Sequence, residues 1–315
     1  MTSSHLDGVL LIDKPIGMTS HDVVSRLRKL LNTKKIGHAG TLDPDATGIL
    51  VVAVGRGTRL LRFAQNTEKT YIGKIHFGAQ TFTLDSSGVL LNTFDMSQLS
   101  EENIISAMDS LTGHISQLPP MVSSVKVNGK RLHRIAREGN EVERKPREIE
   151  VMQFSLLDID RQQDQGAYFV DVHSFDPYPT GPTISVRVTC STGTYIRSLA
   201  DDLGKILHGG AFLSDLRRIN SGNFNISETV SLDDVTIESL QPITSLVDSM
   251  EKVTVPMELV SGVSNGKILG YNELSLETQG PWVLLSPEEK LLGVYERYGD
   301  ESIKPVMVLS RNDDI

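Results

Sequence analysis

The stretch GHAGTLDPDATGILVVAVGRG, from Gly37 to Gly57, constrains this chain more than any other. It sets Asp43 on a loop framed by Gly40 and Gly48 that runs straight into the apolar strand Ile49 to Val54. Pro44 drives Asp43 away from right-handed helical backbone, and the two glycines admit backbone angles and close approaches that a side chain forbids. A carboxylate on a stiff turn anchored to a buried strand is a common way of presenting a catalytic group, because the scaffold fixes the loop and leaves it accessible. A surface turn whose aspartates satisfy local backbone donors is the competing explanation, and spacing alone does not separate the two.

The 315 residues, 39% hydrophobic and 23% charged, suffice for one large folded domain and a small one. The N-terminal MTSSHLDGVLLIDKP lacks a cationic start and brackets its short apolar run with Asp7 and Asp13, a poor signal peptide. No run approaches the roughly 18 apolar residues of a membrane span. The single cysteine, Cys190, reads as a buried filler, and its solitude fits a reducing cytoplasm. A net charge of -9 argues at first against a nucleic-acid partner. From Glu228 onward, however, 6 Lys and Arg face 16 Asp and Glu, which leaves 25 against 24 in the preceding 227 residues. The acidity belongs to the tail. In the body, Lys126, Lys130, Arg131, Arg134, Arg137, Arg144, Lys145 and Arg147 outnumber the nearby glutamates, and the stretch reads as an RNA-facing strip or as a solvated charged helix.

Periodicity predicts a strand over Val9 to Ile12, then a helix capped by Ser20 with Val23, Val24, Leu27, Leu30 and Leu31 on its apolar face. A short helix is expected over Thr58 to Gln65, and a strand over Thr70 to Phe77 with Tyr71, Gly73, Ile75 and Phe77 sharing a face. A second amphipathic helix, capped by Ser100 and stopped by Gly113, buries Ile104, Ile105, Met108 and Leu111. After the NG turn at Asn128 a basic helix is expected to end at Gly139. Strands follow at Ile149 to Ile159, Tyr168 to His173 and Thr183 to Cys190, then a helix with Ile196, Leu199, Leu203 and Ile206 inward and Arg197 off that stripe. Strand runs dominate and few βαβ repeats occur, so the expected fold is mixed α/β (α+β), a central largely antiparallel sheet with helices around a cleft. Residues 1–250 form the main domain and 251–315 a small acidic β-rich module.

GHAGTLDPDATG closely resembles the signature of the bacterial tRNA pseudouridine synthase B (TruB) family, as do the DKP triplet at Asp13, QLPPMVSSVKVNGKRLHRIAREG from Gln117, GTYIR at Gly193 and LRR at Leu216. The resemblance spans roughly Gly8 to Phe224. It implies a pseudouridine synthase acting at uridine 55 of the tRNA T-loop, with Asp43, not Asp45, as the essential catalytic residue. It implies Arg197 as the partner of that aspartate, Tyr71 of the KxY context as an active-site ring that assists in taking the C5 proton, Tyr195 and Leu216 as pocket residues, and His38 as the group that fills the space left in the T-loop. Lys14 and Pro15 are implied as structural support, and Lys130, Arg131 and Arg134 as RNA contacts. Two positions depart from the pattern: Phe82 stands where the GxxTDTxDxxG turn usually carries its first acid, with Asp85 retained, and His133 stands where relatives carry tyrosine. The tail is implied to be PUA-like.

The isomerisation detaches ribose from N1 of uracil and rejoins it to C5, with no redox change and no group acceptor, and no P-loop, dinucleotide fingerprint or Cys/His zinc cluster is present in the sequence. No cofactor, no metal and no protein partner are expected; a monomer acting on tRNA away from membranes is. Arg197 within about 4–6 Å of Asp43 is expected to lower its pKa by about 1–3 units through a two-pronged contact and so keep it charged. Two rival functions remain: the catalytic subunit of an RNA-guided pseudouridine synthase, and a non-enzymatic tRNA-binding or folding module.

Overall fold

The computed structural model describes residues 6–123, 126–127, 130–131, 142–157, 181–276 and 278–309. Its strands are β1 (Gly8–Lys14), β2 (Ile36–Ala39), β3 (Thr47–Val54), β4 (Lys69–Phe77), β5 (Ala79–Thr81), β6 (Leu90–Thr93), β7 (Gly113–Gln117), β8 (Lys126–Val127), β9 (Lys130–Arg131), β10 (Arg147–Leu156), β11 (Thr183–Cys190), β12 (Ala211–Ser221), β13 (Phe224–Asn225) and β14 (Val230–Ser231), then β15 (Glu251–Thr254), β16 (Leu269–Gly270), β17 (Trp282–Leu285), β18 (Leu291–Tyr298) and β19 (Ser302–Val308). The helices are α1 (Ser20–Leu30), α2 (Leu61–Gln65), α3 (Glu101–Ser110), α4 (Ile196–Ile206), α5 (Met257–Ser264) and α6 (Tyr271–Leu274). No helix among the described residues is long and apolar enough to cross a membrane.

Ten strands form the main sheet in the order β14-β1-β3-β12-β4-β11-β10-β7, with β2 added to β3 and β13 to β12. The pairings β1–β14 and β3–β12 are parallel and the others antiparallel, which makes the sheet mixed but largely antiparallel. Alternation along β4 and β11 sends Tyr71, Ile75 and Phe77, with Val186, Val188 and Cys190, to one face, where they pack against Ile196, Leu199 and Leu203 of α4. A second sheet, β15-β17-β18-β19-β16, carries the C-terminal residues. One side of it buries Trp282, Leu284, Tyr295 and Ile303 against α5, and the other presents Val283, Val294 and Met307 to Val9, Leu11 and Val51 of the main sheet.

Several local expectations shift. The cap of α1 is Thr19, one residue earlier than expected, because Thr19 and Asp22 close a reciprocal capping box. This frees the Ser20 hydroxyl, which accepts from the Leu42 amide (2.9 Å) and donates to the Leu42 carbonyl (3.2 Å). Leu30, Ile105 and Ile206 are exposed rather than inward: Leu30 and Ile206 close the last turns of their helices, and Ile105 is turned about 100° from Ile104. The turn at Gly55–Arg59 is a 3-10 helix, so the α-helix begins only at Leu61. Lys130 and Arg131 are strand residues paired with Val127 and Lys126, not the start of a helix. Arg134, His133 and Tyr168 to His173 lie outside the described residues.

β2 and β12 share one edge of β3. β12 reaches it at Thr47 and Gly48, β2 from Val51 to Val54, and the loop between β2 and β3 emerges where the two diverge. Gly48 makes this possible: its φ is +100°, and a Cβ there would be driven into the backbone of Arg218. Gly48→Ala should therefore destabilise the fold by more than the about 1–3 kcal/mol of a strained backbone angle. Gly113→Ala, with φ +93° but open space around it, should cost less, and denaturant midpoints of the two variants check the ordering.

Candidate active site

The loop from Gly40 to Ala46 is held from several sides. Gly40 adopts φ +82°, the Ala46 amide donates to the Asp43 carbonyl (3.1 Å), and Gly17 donates to the Pro44 carbonyl (2.9 Å). Lys14 is fully buried, and its ammonium donates to the carbonyls of Pro15 (2.8 Å), Met18 (2.7 Å) and Pro44 (3.1 Å). One ammonium thus ties β1 and the turn after it to the residue that follows Asp43. Burial lowers the Lys14 pKa to about 8, and the nearby Asp45 and Asp43 act against that shift.

Beside this loop opens a cavity of about 260 Å³ lined by Asp43, Lys69, Tyr71, Tyr195, Arg197, Leu216 and Arg218, among others. Five of the expected site residues, Asp43, Tyr71, Tyr195, Arg197 and Leu216, are thereby brought together from a loop, β4, the start of α4 and β12. His38 lies on β2 just before the loop, outside this lining, with its Nδ1 buried and unpartnered among the described residues. Asp45 is exposed and outside the lining.

Arg197 is the hub. Its side chain is 6% exposed, and its Nε lies 2.9 Å from Oδ2 of Asp43. Nη1 donates to the Thr83 carbonyl (2.8 Å) and lies 3.2 Å from Oδ2 of Asp85, and Nη2 donates to the Val122 carbonyl (3.0 Å). The contact to Asp43 is thus single rather than two-pronged, because the rest of the fork is committed to the turn at Thr83 to Asp85 and to the segment before β8. Asp85 is oriented in turn by the hydroxyls of Thr83 (2.5 Å) and Ser87 (2.6 Å). The turn carrying Phe82 is therefore part of the site's polar framework.

The Asp43 carboxylate is accessible from the mouth of the cavity, its side chain 45% exposed, yet protein surrounds it on every other side. Burial pushes its pKa above the usual carboxylate range, Arg197 pulls it down, and Asp85 and Asp45 push it up again. The expected net lowering by arginine is reversed, because desolvation together with a second carboxylate on the same guanidinium outweighs one ion pair. Tyr71 is buried, which raises its phenol above 10, so it stays protonated at neutral pH and is a poor proton acceptor.

Arg218 carries no expectation from the sequence. Fully buried, it donates through Nε to the Ile49 carbonyl (2.8 Å) and through Nη2 to the Gly40 carbonyl (3.1 Å), bracketing the loop that carries Asp43, and it is the cross-strand partner of Tyr71. Lys69 has its pKa lowered to about 8 by burial and by Arg218, and donates to the carbonyls of Gln65 (2.7 Å) and Thr67. Gln117 fixes Tyr195 by accepting from its amide (2.8 Å) and donating to its carbonyl (3.1 Å). The signal for Arg218 was a charged residue inside a strand pattern otherwise bound for the core. The signal for Gln117 was an amide opening the double-proline segment.

Residues 28–196 match the model of the TruB family pseudouridylate synthase N-terminal domain, and residues 197–260 that of the tRNA pseudouridylate synthase B C-terminal domain. The chain belongs to the TruB family. The tRNA pseudouridine synthase B of Thermobifida fusca (strain YX) is 40% identical over 305 residues, 96% of this chain and 99% of that protein. Its counterpart in Geobacillus thermodenitrificans (strain NG80-2) is 39% identical over 93% of this chain and 95% of that protein. A chain in a solved Cbf5-Nop10-Gar1 complex shares the fold with a TM-score of 0.71 at 24% identity, over 99% of this chain and 88% of that chain. This TruB-family protein is a pseudouridine synthase. The two family models meet between Ile196 and Arg197, so the Asp43–Arg197 pair joins residues from both.

A catalytic role for Asp43 would need its ionised form, and turnover of the TruB-family enzyme should then fall as pH drops, with a midpoint above the roughly 3.9 of an unperturbed aspartate. Asp85 contributes to raising that midpoint, so Asp85→Asn should move it down. Single-turnover rates against pH check this; an unmoved or raised midpoint would show that Asp43 does not feel Asp85.

Proposed function

We propose that this enzyme converts uridine to pseudouridine at position 55 in the T-loop of tRNA, acting on a base flipped out of the loop into the cavity beside Asp43. The observation that carries the reading is the Asp43–Arg197 pair at 2.9 Å beside a cavity that Tyr71 and Leu216 also line. The names of relatives that match nearly the whole chain support tRNA as the substrate. A uridine stacked in a folded RNA arm is beyond reach of a recessed carboxylate, and extruding it costs a few kcal/mol. Stacking on the Tyr71 ring offsets that by about 1–3 kcal/mol, and the apolar contact of Leu216 adds to it.

In the reaction the C1'–N1 bond breaks and a C1'–C5 bond forms; C5 then loses its hydrogen and N1 gains a proton. Asp43 faces the nucleotide as an anion whether it attacks C1', attacks C6 or removes a ribose proton. Arg197 fixes its direction. Because the Tyr71 phenol is held protonated, the C5 proton goes to water rather than to a tyrosinate. Tyr195, pinned by Gln117, walls the pocket. His38, half-buried on β2, fills the space the uridine leaves. Lys130, Arg131 and Arg134 contact RNA phosphates. Residues 1–250 form the catalytic domain, and 251–315 form a PUA-like module that contributes less to RNA binding because of its negative charge. The enzyme works as a monomer in the cytoplasm, with no cofactor or protein partner.

The test uses tRNA carrying tritium at C5 of uridine. The purified chain alone should release close to one equivalent into water. Asp43→Asn keeps the shape of the carboxylate without its charge, so it should abolish release while tRNA binding persists. Asp45→Asn should stay active. No release by the native chain would end the synthase reading on tRNA, and release only with added protein and guide RNA would favour the guided enzyme.

A further inference from the structure

A side chain is aimed by the two peptide planes that flank its Cα, because the backbone has only two soft dihedrals per residue. For Asp43 the plane on the far side is held within the loop, where its own carbonyl accepts from the Ala46 amide (3.1 Å). The plane on the near side carries the Leu42 carbonyl, and that carbonyl accepts from the hydroxyl of Ser20 (3.2 Å). The same hydroxyl accepts from the Leu42 amide (2.9 Å), so one oxygen atom holds both backbone groups of the residue before Asp43. An antiparallel strand grips a residue in this way with two backbone groups of its own, and here a single side chain takes their place.

Ser20 is 1% exposed and Leu42 3% exposed, so water does not compete for either partner. Capping of α1 falls to Thr19, whose hydroxyl accepts from the Asp22 amide (3.0 Å), and this leaves the Ser20 hydroxyl uncommitted to the helix end. The helix is itself seated, with Val23 and Leu27 packed among Ile12 of β1 and Leu50 and Val52 of β3. On the other side of the loop the Leu42 side chain joins the cluster of Tyr71, Ile196 and Leu213, and it lines the cavity. Leu42 is therefore pinned between α1 and the cavity wall, one residue before the carboxylate that meets Arg197 at 2.9 Å.

We infer that Ser20 is a positioning residue for the isomerisation: by holding both backbone groups of Leu42 it sets the plane from which the Asp43 side chain departs, and so aims the carboxylate. The inference rests on the reading of Asp43 as the reacting carboxylate. Ser20 lies outside the cavity lining and acts only through Leu42. Its loss should therefore slow the bound complex and leave affinity for RNA alone, since a misplacement near 1 Å costs up to about 10²-fold in rate.

The test measures single-turnover release of C5 tritium from tRNA, and the Kd of that tRNA, for the native chain, Ser20→Ala, Ser20→Thr and Thr19→Ala. Ser20→Ala removes the hydroxyl and should slow release by about 10- to 100-fold with Kd unchanged. Ser20→Thr returns the hydroxyl and should recover most of the lost rate. Thr19→Ala is the control for stability: it removes the cap of the same helix and lowers the unfolding midpoint but leaves the Ser20–Leu42 pair in place, so its rate should stay near native. If Ser20→Ala does not fold, Ser20→Cys, close in shape but only a weak donor and acceptor, takes its place and should likewise be slow.

A near-native rate without the serine hydroxyl would show that Asp43 is aimed by other means. A loss that Ser20→Thr fails to relieve, or that Thr19→Ala equals, would assign the effect to packing or to helix stability, and a Kd that weakens in step with the rate would place it in RNA binding; each of these results overturns the inference. Failure of the reading beneath it looks different: a native chain that releases no tritium, or an Asp43→Asn chain that still releases it, defeats the role of Asp43 before Ser20 is considered.

Discussion

The guanidinium of Arg197 is the interaction on which the site depends. With 6% of its side chain exposed, it meets the carboxylates of Asp43 and Asp85 and the carbonyls of Thr83 and Val122 at once. Arginine suits this because its donors radiate in one rigid plane, and each acceptor belongs to a different stretch of chain. The Asp43 loop, the turn after β5, the segment before β8 and the first turn of α4 are thereby locked to one reference point. Burial, joined by the second carboxylate on the same cation, raises the pKa of Asp43 although an arginine touches it.

Behind that hub lies a second layer of cations whose hydrogen bonds go largely to the backbone. Lys14, Lys69 and Arg218 are buried, and they donate to carbonyls of the turn after β1, the segment before β4 and the two ends of the Asp43 loop. A charge satisfied by carbonyl dipoles keeps more of its field than one cancelled by a carboxylate. The lowered pKa values of both lysines record first their burial and then the nearby charge of Arg218. The arrangement gives stiffness to a loop that glycines would otherwise leave supple, and it biases the cleft towards anionic species. The close packing that permits it is the approach of Arg218 to Gly48, where β12 meets β3 with no room for a side chain.

Much of this was legible in the sequence. Alternation placed Tyr71 and Cys190 on the core face because both strands are bounded by clear polar turns. Pro44 and the glycines located the Asp43 loop because their backbone restrictions act locally. Resemblance joined Asp43 to Arg197 across a gap of more than 150 residues, which periodicity cannot do. Other features were hidden because they are tertiary. The Ser20 hydroxyl reads as a cap until Thr19 is seen to close a box with Asp22. Asp85 looks like a turn residue until Arg197 arrives from α4. Arg218 reads as one more arginine beside Arg217, yet Arg217 pairs with Asp13 near the surface while Arg218 turns into the core. Strand alternation separates two neighbours by a whole sheet, and which of two adjacent arginines is buried depends on a register that the other strands set.

The central claim, that one guanidinium with a planar set of donors organises the cleft, is tested most directly by Arg197→Lys. An ammonium keeps the charge but has three donors around a single point, so it cannot hold Asp43, Asp85 and both carbonyls in their present directions. Single-turnover isomerisation should slow by about 10²-fold, the size of effect that a misplacement near 1 Å produces, while tRNA binding and the folded state persist. Turnover within a few-fold of the native rate would contradict the account, because it would show that charge alone, and not the geometry of the fork, aligns Asp43.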